Sequence, residues 1–426
     1  MKKLIPQKIK NIYHLIQAIL ANFYFGFPSK KLKVIGITGT NGKTTTVQMI
    51  AKILEEAGYK VAMASTINFK IGDKEWINKT KFTTLSAWAV QKFTKEAIKK
   101  KCDYLVLETS SHSLDQYRVW GINYNIAVVT NVTREHLDYH KDIKRYRKAK
   151  LKLFKNVDDI VVNLDMNNPE EFLAIGAPNK CGYTTRVENI QCESRDSNLK
   201  FETILAEEIG LEMWGSRYKA QCIEYELNLP GLFNIENALA ATCVGVTEKI
   251  DKKTIAKALK KIDGISGRME YIKNNKGLNI IIDYAVTPDS LEKLYNLVKD
   301  INRNNGDIIS VFGACGERDR GKRPIMGEIV SKIADYIIIT NEDPYNEDPE
   351  RIIDEIAQGV KSKKEGGNFW KILDRRKAIN KALNLAKPGD FVVVTGKGAE
   401  EIMAVGKERI SWNDKKVILE ELKKID

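Results

Sequence analysis

Lys43 and Thr44 stand directly behind two glycines in the run Gly39-Thr40-Asn41-Gly42-Lys43-Thr44-Thr45, and these are residue types that hold a polyphosphate. A Gly-rich turn can aim backbone N–H groups at an anion, and a helix opening at Thr44 adds its positive end. The Lys43 ammonium would reach the outer phosphates, and the Thr44 hydroxyl would ligate a magnesium ion. The strict pattern G-x-x-x-x-G-K-[ST] fails at one position, because Ile37 occupies the place of its first glycine. A second set lies further on. Glu108 closes the apolar stretch Tyr104-Leu105-Val106-Leu107, and His136 follows Ile126–Asn131. A carboxylate and an imidazole beside a phosphate loop could share in holding magnesium.

These residues need elements to carry them. Val34, Ile35 and Ile37 read as a buried strand, and Thr44–Leu54 as the helix after it. Further strands are expected at Lys60–Thr66, Tyr104–Glu108, Ile126–Asn131 and Ile160–Asn163, with a helix over Ser86–Lys100. Strands alternating with helices imply a parallel α/β sheet, with ligands at the strands' carboxyl ends. A helix over 143–154 carries Lys150, and 180–229 reads as a small antiparallel section. Pro230–Asn237 leads into an Ala-rich helix ending near Thr247, and a short helix is expected over Lys253–Ile262. Gly264–Arg268 reads as a hinge. A second α/β block follows, with strands at Leu278–Asp283, Ile308–Val311, Tyr336–Thr340 and Phe391–Thr395. The expected organisation is a short helical segment (1–32), a P-loop-type central parallel-sheet domain (33–263) and a C-terminal Rossmann-like α/β domain (264–426).

The 426 residues are 43% hydrophobic and 29% charged with both signs mixed, which supports packed cores and argues against disorder. The net charge of +13 reads as a Lys-rich solvated surface or as attraction to anionic partners. No basic patch interleaved with aromatics points to nucleic acid. Cys102, Cys181, Cys192, Cys222, Cys243 and Cys315 form no C-x-x-C pair and read as free thiols of a reducing cytoplasm. Residues 15–27 are apolar and follow Lys2, Lys3, Lys8 and Lys10. The run is too short to span a bilayer. It reads as a helix packed on its own domain, or as one that docks on a membrane surface or a protein partner.

Taken together the motifs resemble the Mur ligases. The likeness runs through Gly39–Thr45, Glu108–His112, Thr130–His140, Tyr146–Phe154 with Lys150, Gly231–Asn237 and Gly267–Glu270. It continues through Asp283–Pro288, Gly316–Pro324 and Gly396–Glu400, so that it covers roughly residues 32–405 in order. Within the family it is most similar to the UDP-N-acetylmuramoyl-tripeptide synthetases. The resemblance implies an ATP-dependent amide ligase of peptidoglycan synthesis. ATP would phosphorylate the carboxylate of a UDP-N-acetylmuramoyl-dipeptide acceptor, and an amino acid's amine would displace phosphate from the acyl phosphate. It implies ATP on Gly39, Thr40, Asn41, Gly42, Lys43, Thr44, Thr45, Asn237, Arg268 and Asp283. Magnesium would lie on Thr44, Glu108, His136 and a carbamylated Lys150, and the acceptor on Thr83, Thr84, Ser111, Gln116 and Arg118. The incoming amino acid would meet Arg318, Glu342, Asp343, Tyr345 and Glu400.

Three departures qualify that expectation. Only about 32 residues precede the first strand, too few for the family's UDP-binding domain. The acceptor is then a nucleotide-sugar peptide held differently, or a non-UDP acceptor of folylpolyglutamate or pseudomurein type. A non-catalytic, partner-binding Mur-like subunit is the other alternative. Second, Glu342-Asp343-Pro344-Tyr345 replaces the Asp-Asn-Pro-Arg of diaminopimelate-adding enzymes. Losing that Arg and gaining acids favours lysine or another basic amino acid. Third, Val286 and Ala399 stand where the family carries histidines.

Overall fold

The computed structural model describes residues 6–80, 83–191 and 201–425. It divides into two compact units. One comprises the chain up to Thr133 together with Asp142–Asp263, and the other Arg134–Lys141 together with the chain from Gly264 onward.

The first unit is built on a nine-stranded sheet. Its strands are β1 (Lys33–Thr38), β2 (Val61–Ala64), β3 (Asn68–Ile71), β4 (Lys74–Ile77), β5 (Tyr104–Glu108), β6 (Ile126–Val129), β7 (Asp159–Asn163), β8 (Asn179–Thr184) and β9 (Glu202–Leu205). The order is β4-β3-β2-β5-β1-β6-β7-β8-β9. From β2 to β9 all neighbours are parallel, and β3 and β4 add an antiparallel edge. β1 is central and buried from Val34 onward, as a strand covered on both faces must be. The helix Lys43–Glu56 buries Val47, Ile50, Ile53 and Leu54. The Ala-rich helix Leu232–Thr247 is buried over most of its circumference, including Ile235, Ala238, Leu239 and Val244.

Local departures have local causes. The expected strand Lys60–Thr66 ends at Ala64, and the chain turns over 65–67 into the hairpin β3–β4, whose own turn holds a left-handed Gly72. Phe69 and Ile71 are buried there while Asn68 and Lys70 are half-exposed, a period-two pattern only 4 residues long. The helix expected over 143–154 stops at Leu151 and tightens into a 3-10 turn, Lys152–Phe154. Of the antiparallel section expected over 180–229, β8 and β9 instead join the main sheet in parallel. The antiparallel part is β10 (Glu207–Leu211), β11 (Ser216–Ala220) and β12 (Ile223–Leu227).

The second unit carries the sheet β13-β14-β18-β15-β16-β17, from β13 (Glu270–Ile272), β14 (Asn279–Asp283), β15 (Ile308–Phe312), β16 (Tyr336–Thr340), β17 (Phe369–Ile372) and β18 (Phe391–Thr395). β13 is antiparallel to β14, and the remaining neighbours are parallel. The hairpin of β19 (Ile402–Val405) and β20 (Glu408–Ser411) follows. Cys102, Cys181, Cys222, Cys243 and Cys315 are free thiols, and Cys192 lies outside the described residues. Among the described residues no helix is long and apolar enough to cross a membrane.

One buried charge network gives this unit an acid-sensitive joint. The Arg323 side chain is fully buried, and its guanidinium meets Glu347 in a two-pronged contact (2.9 and 3.0 Å) and Glu355 at 2.6 Å. Hydrogen bonding from Arg323 holds the Glu347 carboxyl down to about 2. A depressed carboxyl pKa contributes stability above its unfolded value near 4.5, and that contribution is lost as pH falls toward 2. Glu347→Gln is expected to lower unfolding stability at neutral pH by about 3 kcal/mol, since it leaves a buried cation short of its partner. It should also flatten the decline below the usual carboxylate range. Urea midpoints measured across pH for both proteins check this, and equal midpoints at neutral pH would refute it.

Candidate active site

The loop between β1 and the helix Lys43–Glu56 has little freedom. A Cβ on Gly42 would overlap Asn237 Oδ1, and one on Gly39 would overlap Thr130 Oγ1. Gly42 is also left-handed, at φ +83°, so the tight cradle requires glycine there. Side chains at the end of β6 pin the loop from beside. Asn131 Oδ1 accepts from the N–H of Thr40 (3.2 Å) and of Asn41 (2.9 Å), and Thr130 Oγ1 donates to the Asn41 carbonyl (2.6 Å). The Thr40 hydroxyl is 3.2 Å from Tyr146 Oη. The first bond of the helix runs from Thr46 N–H to the Gly42 carbonyl. The N–H groups of Lys43, Thr44 and Thr45 therefore lie at the helix's positive end, the place an anion takes.

Charged and hydroxyl groups gather on this loop. Lys43 Nζ donates to the Thr40 carbonyl at 2.8 Å. Lys150 is almost wholly buried, its Nζ 2.6 Å from the Gly39 carbonyl and 4.3 Å from the centre of the Tyr146 ring. Glu108 is buried at the end of β5, and its Oε2 accepts from Thr44 Oγ1 (3.0 Å) and Thr66 N–H (2.7 Å). A hydroxyl and a buried carboxylate in contact beside a phosphate cradle are hard oxygen donors of the kind magnesium takes. The donor set thus fits that ion.

The residues expected to hold an acceptor adjoin Glu108. Thr84 Oγ1 donates to the Glu108 carbonyl (3.0 Å) and accepts from Ser110 N–H (2.9 Å), while Arg118 Nη1 donates to the Thr84 carbonyl (2.9 Å). Ser111 opens the helix Ser111–Asp115 and Gln116 closes it. Thr83 is half-buried beside Thr84. Asn237 lies against Gly42 and accepts from Thr46 Oγ1 at 3.3 Å, so it braces the phosphate loop itself.

The other expected residues belong to the second unit. Arg268 covers the Tyr284 ring at 4.4 Å, and Asp283 accepts from Met269 N–H at 2.7 Å. Burial pushes the Asp283 carboxyl up, against the opposing pull of Arg268. His136 takes the left-handed conformation, φ +57°, in the segment Arg134–Lys141. Beside it Glu135 pairs with the buried Lys322 at 3.1 Å, and Lys322 also donates to the Val286 carbonyl.

The amino-acid set is assembled, with its charge arranged differently from expectation. Asp343 does not offer a free negative charge, because both its oxygens lie 3.0 Å from Nζ of the fully buried Lys397. Glu400 bonds the same ammonium. Burial, with Asp343 adding to it, pushes the Glu342 carboxyl up, and Cys315 Sγ lies 3.0 Å from it. The cluster of Cys315, Glu342 and Asp343 is compact enough for a metal, yet Lys397 already supplies a cation to it. Tyr345 is held left-handed at φ +52°, its N–H on the Ala404 carbonyl and its carbonyl on Gly406 N–H. That clamp sets its ring among cations, with Arg318 at 6.0 Å and Arg409, from β20, at 5.6 Å. Burial pushes its phenol up to about 12, so it stays neutral. Asn131, Tyr146, Lys397 and Arg409 were not singled out by the sequence. The first three lie inside or beside recognisable motifs, and Arg409 carries no local signal.

The chain matches the Mur ligase middle domain over residues 37–245 and the Mur ligase glutamate ligase domain over 267–398. It is 40% identical over 416 residues to the UDP-N-acetylmuramoyl-L-alanyl-D-glutamate–2,6-diaminopimelate ligase of Clostridium botulinum (strain ATCC 19397 / Type A), covering 96% of this chain and 81% of that one. The chain belongs to the Mur ligase family. As a Mur ligase it is an ATP-dependent amide-forming enzyme, similar to the tripeptide-synthesising members. The UDP-N-acetylmuramyl-tripeptide synthetase of Roseiflexus sp. (strain RS-1) is 35% identical over 93% of this chain and 80% of its own length. A solved structure of a UDP-N-acetylmuramoyl-L-alanyl-D-glutamate–2,6-diaminopimelate ligase superposes with a TM-score of 0.60 at 29% identity, over 92% of this chain and 78% of that one. The α/β architecture expected from the sequence, a P-loop-type parallel sheet plus a second α/β sheet, is that of this Mur ligase.

Proposed function

We propose that this Mur ligase adds an amino acid with a distal carboxylate, of the 2,6-diaminopimelate class, to a UDP-N-acetylmuramoyl-dipeptide-like acceptor in the cytoplasm. The observation that carries the amino-acid part is the charge around Tyr345. Lysine, the sequence-based expectation, needs an acidic grip for its distal amine. Asp343 and Glu400 are both engaged by Lys397, whereas Arg318 and Arg409 bring two cations to the Tyr345 ring. Guanidinium groups suit a planar carboxylate. The Clostridium botulinum relative, named as a 2,6-diaminopimelate ligase, supports the same choice.

The chemistry proceeds in two displacements. The acceptor carboxylate oxygen attacks the γ-phosphorus of ATP, forming an O–P bond as ADP leaves. The amino acid's nitrogen then attacks the acyl carbon, the C–O bond to phosphate breaks, and the amine loses a proton. Catalysis of this kind is mainly positioning and charge neutralisation. Lys43 and the N–H groups of Lys43 to Thr45 hold the outer phosphates. Arg118, Thr84 and Ser111 orient the acceptor, with Thr83 and Gln116 at the margin. Arg268 and Asp283 serve the nucleotide. Thr44 and Glu108 would hold magnesium, a carbamylated Lys150 would help to arrange a metal, and His136 would serve a second ion. When bound, magnesium neutralises the transferring phosphoryl group. Residues 33–263 would then form the ATP-binding domain and 264–426 the ligase domain.

Phosphate release is the test. It is expected only when ATP, the UDP-linked dipeptide and an amino acid are all present, and to be faster with diaminopimelate than with lysine. Arg409→Ala should raise the KM for diaminopimelate about tenfold while leaving the KM for the acceptor in place. Preference for lysine would overturn the amino-acid assignment. Absence of release with every acceptor and amino-acid pair would overturn the ligase reading in favour of a non-catalytic, partner-binding subunit.

A further inference from the structure

The helix Gln7–Phe25 has its polarity reversed for a helix on a protein surface. Its small and polar residues face inward. Ala18, Ala21 and Asn22 are buried, Asn22 Nδ2 donates to the Trp120 carbonyl (2.7 Å), and Asn11 Nδ2 donates to the Asp115 carbonyl (3.1 Å). Its large apolar residues face outward. Ile9, Ile12, Tyr13, Ile16, Leu20, Phe23 and Tyr24 are between 52% and 75% exposed. They recur every three or four positions, so they form one continuous stripe opposite the buried face. A stripe of this size on a surface marks a binding face.

The chemistry around the stripe says what covers it. No Asp or Glu occurs before Glu55, whereas Lys8, Lys10, Lys30 and Lys31 lie at or near the two ends of the helix. By helical position Lys8 and Lys10 sit on opposite borders of the stripe. At the carboxyl end an aromatic rim gathers: Phe23 with Phe27 (5.2 Å), and Tyr24 with the partly exposed Trp88 (5.6 Å). Lys30 lies 5.3 Å over the Phe27 ring. Two copies of this helix would bring lysines together with no carboxylate on either helix to pair them. An anionic lipid surface instead accepts the apolar stripe in its acyl boundary and the lysines at its headgroups, with Tyr and Trp at the interface.

We infer that the helix Gln7–Phe25 seats this enzyme in the plane of an anionic membrane surface, without crossing it. The full-length protein is mixed with vesicles of phosphatidylglycerol and phosphatidylcholine, and with vesicles of phosphatidylcholine alone, and sedimented. Binding is expected to the anionic vesicles, weaker at high salt. The variant Ile16→Glu/Leu20→Glu should lose it about tenfold or more, with ATP-dependent phosphate release unchanged. Both substitutions are on exposed positions, and that unchanged release reports an intact fold. Failure to sediment with either vesicle overturns the inference, as does binding that the double variant leaves unaltered. A wild-type dimer in analytical ultracentrifugation that the double variant converts to monomer also overturns it, in favour of a second copy.

Discussion

Lys43→Ala is expected to lower the rate of ATP-dependent phosphate release on the order of 1000-fold. The ammonium is the charged group the loop itself contributes, and it sits 2.8 Å from the Thr40 carbonyl at the mouth of the cradle. Transfer of a phosphoryl group spreads negative charge over oxygens that this ammonium would neutralise, and Ala supplies nothing in its place. The fold should survive, because the loop's shape is set by Gly39, Gly42, Thr130 and Asn131. Steady-state kinetics together with a thermal melt separate the two effects. Near-normal kcat in a variant with a normal melt would remove the phosphate-cradle assignment.

The second large effect is expected at Lys150. Its amine is buried, hydrogen-bonded to the Gly39 carbonyl and set over an aromatic ring. In the proposed carbamylation the ammonium first loses a proton, the neutral amine then joins carbon dioxide through a new N–C bond, and a second proton leaves, so that a cation becomes an anion. Lys150→Ala should reduce turnover roughly 1000-fold, and formate or acetate should restore part of it by returning a carboxylate to the vacated space. Rescue by short amines in place of short acids would mean that the working form is the ammonium. Full activity without rescue would dismiss Lys150 from the reaction.

The central sheet was legible because its strands are buried on both faces and read as unbroken apolar runs. Val34–Ile37 and Ile126–Val129 are instances. The phosphate loop was legible because glycine, lysine and threonine at that spacing do one kind of chemistry. The hairpin of Asn68–Ile71 with Lys74–Ile77 was missed because short half-exposed edge strands have weak patterns. The charge state of the amino-acid site was not legible at all. Asp343 and Lys397 are 54 positions apart, and only folding shows that one neutralises the other. Arg409 is likewise tied to Tyr345 through backbone bonds of the Ala404–Gly406 turn, which no residue pattern announces.

The segment Arg134–Lys141 is flanked on both sides by chain of the first unit, yet it packs with the second. Arg134 pairs with Asp319, and Glu135 supplies the carboxylate to Lys322. A cut at residue 263 therefore does not yield two self-sufficient modules. The downstream piece would keep Lys322 and lose its buried counter-ion, and the upstream piece would carry an orphaned excursion bearing His136. Inheritance of this protein by shuffling whole domains is correspondingly constrained: any exchange of the second unit must preserve complementarity to eight residues encoded far upstream.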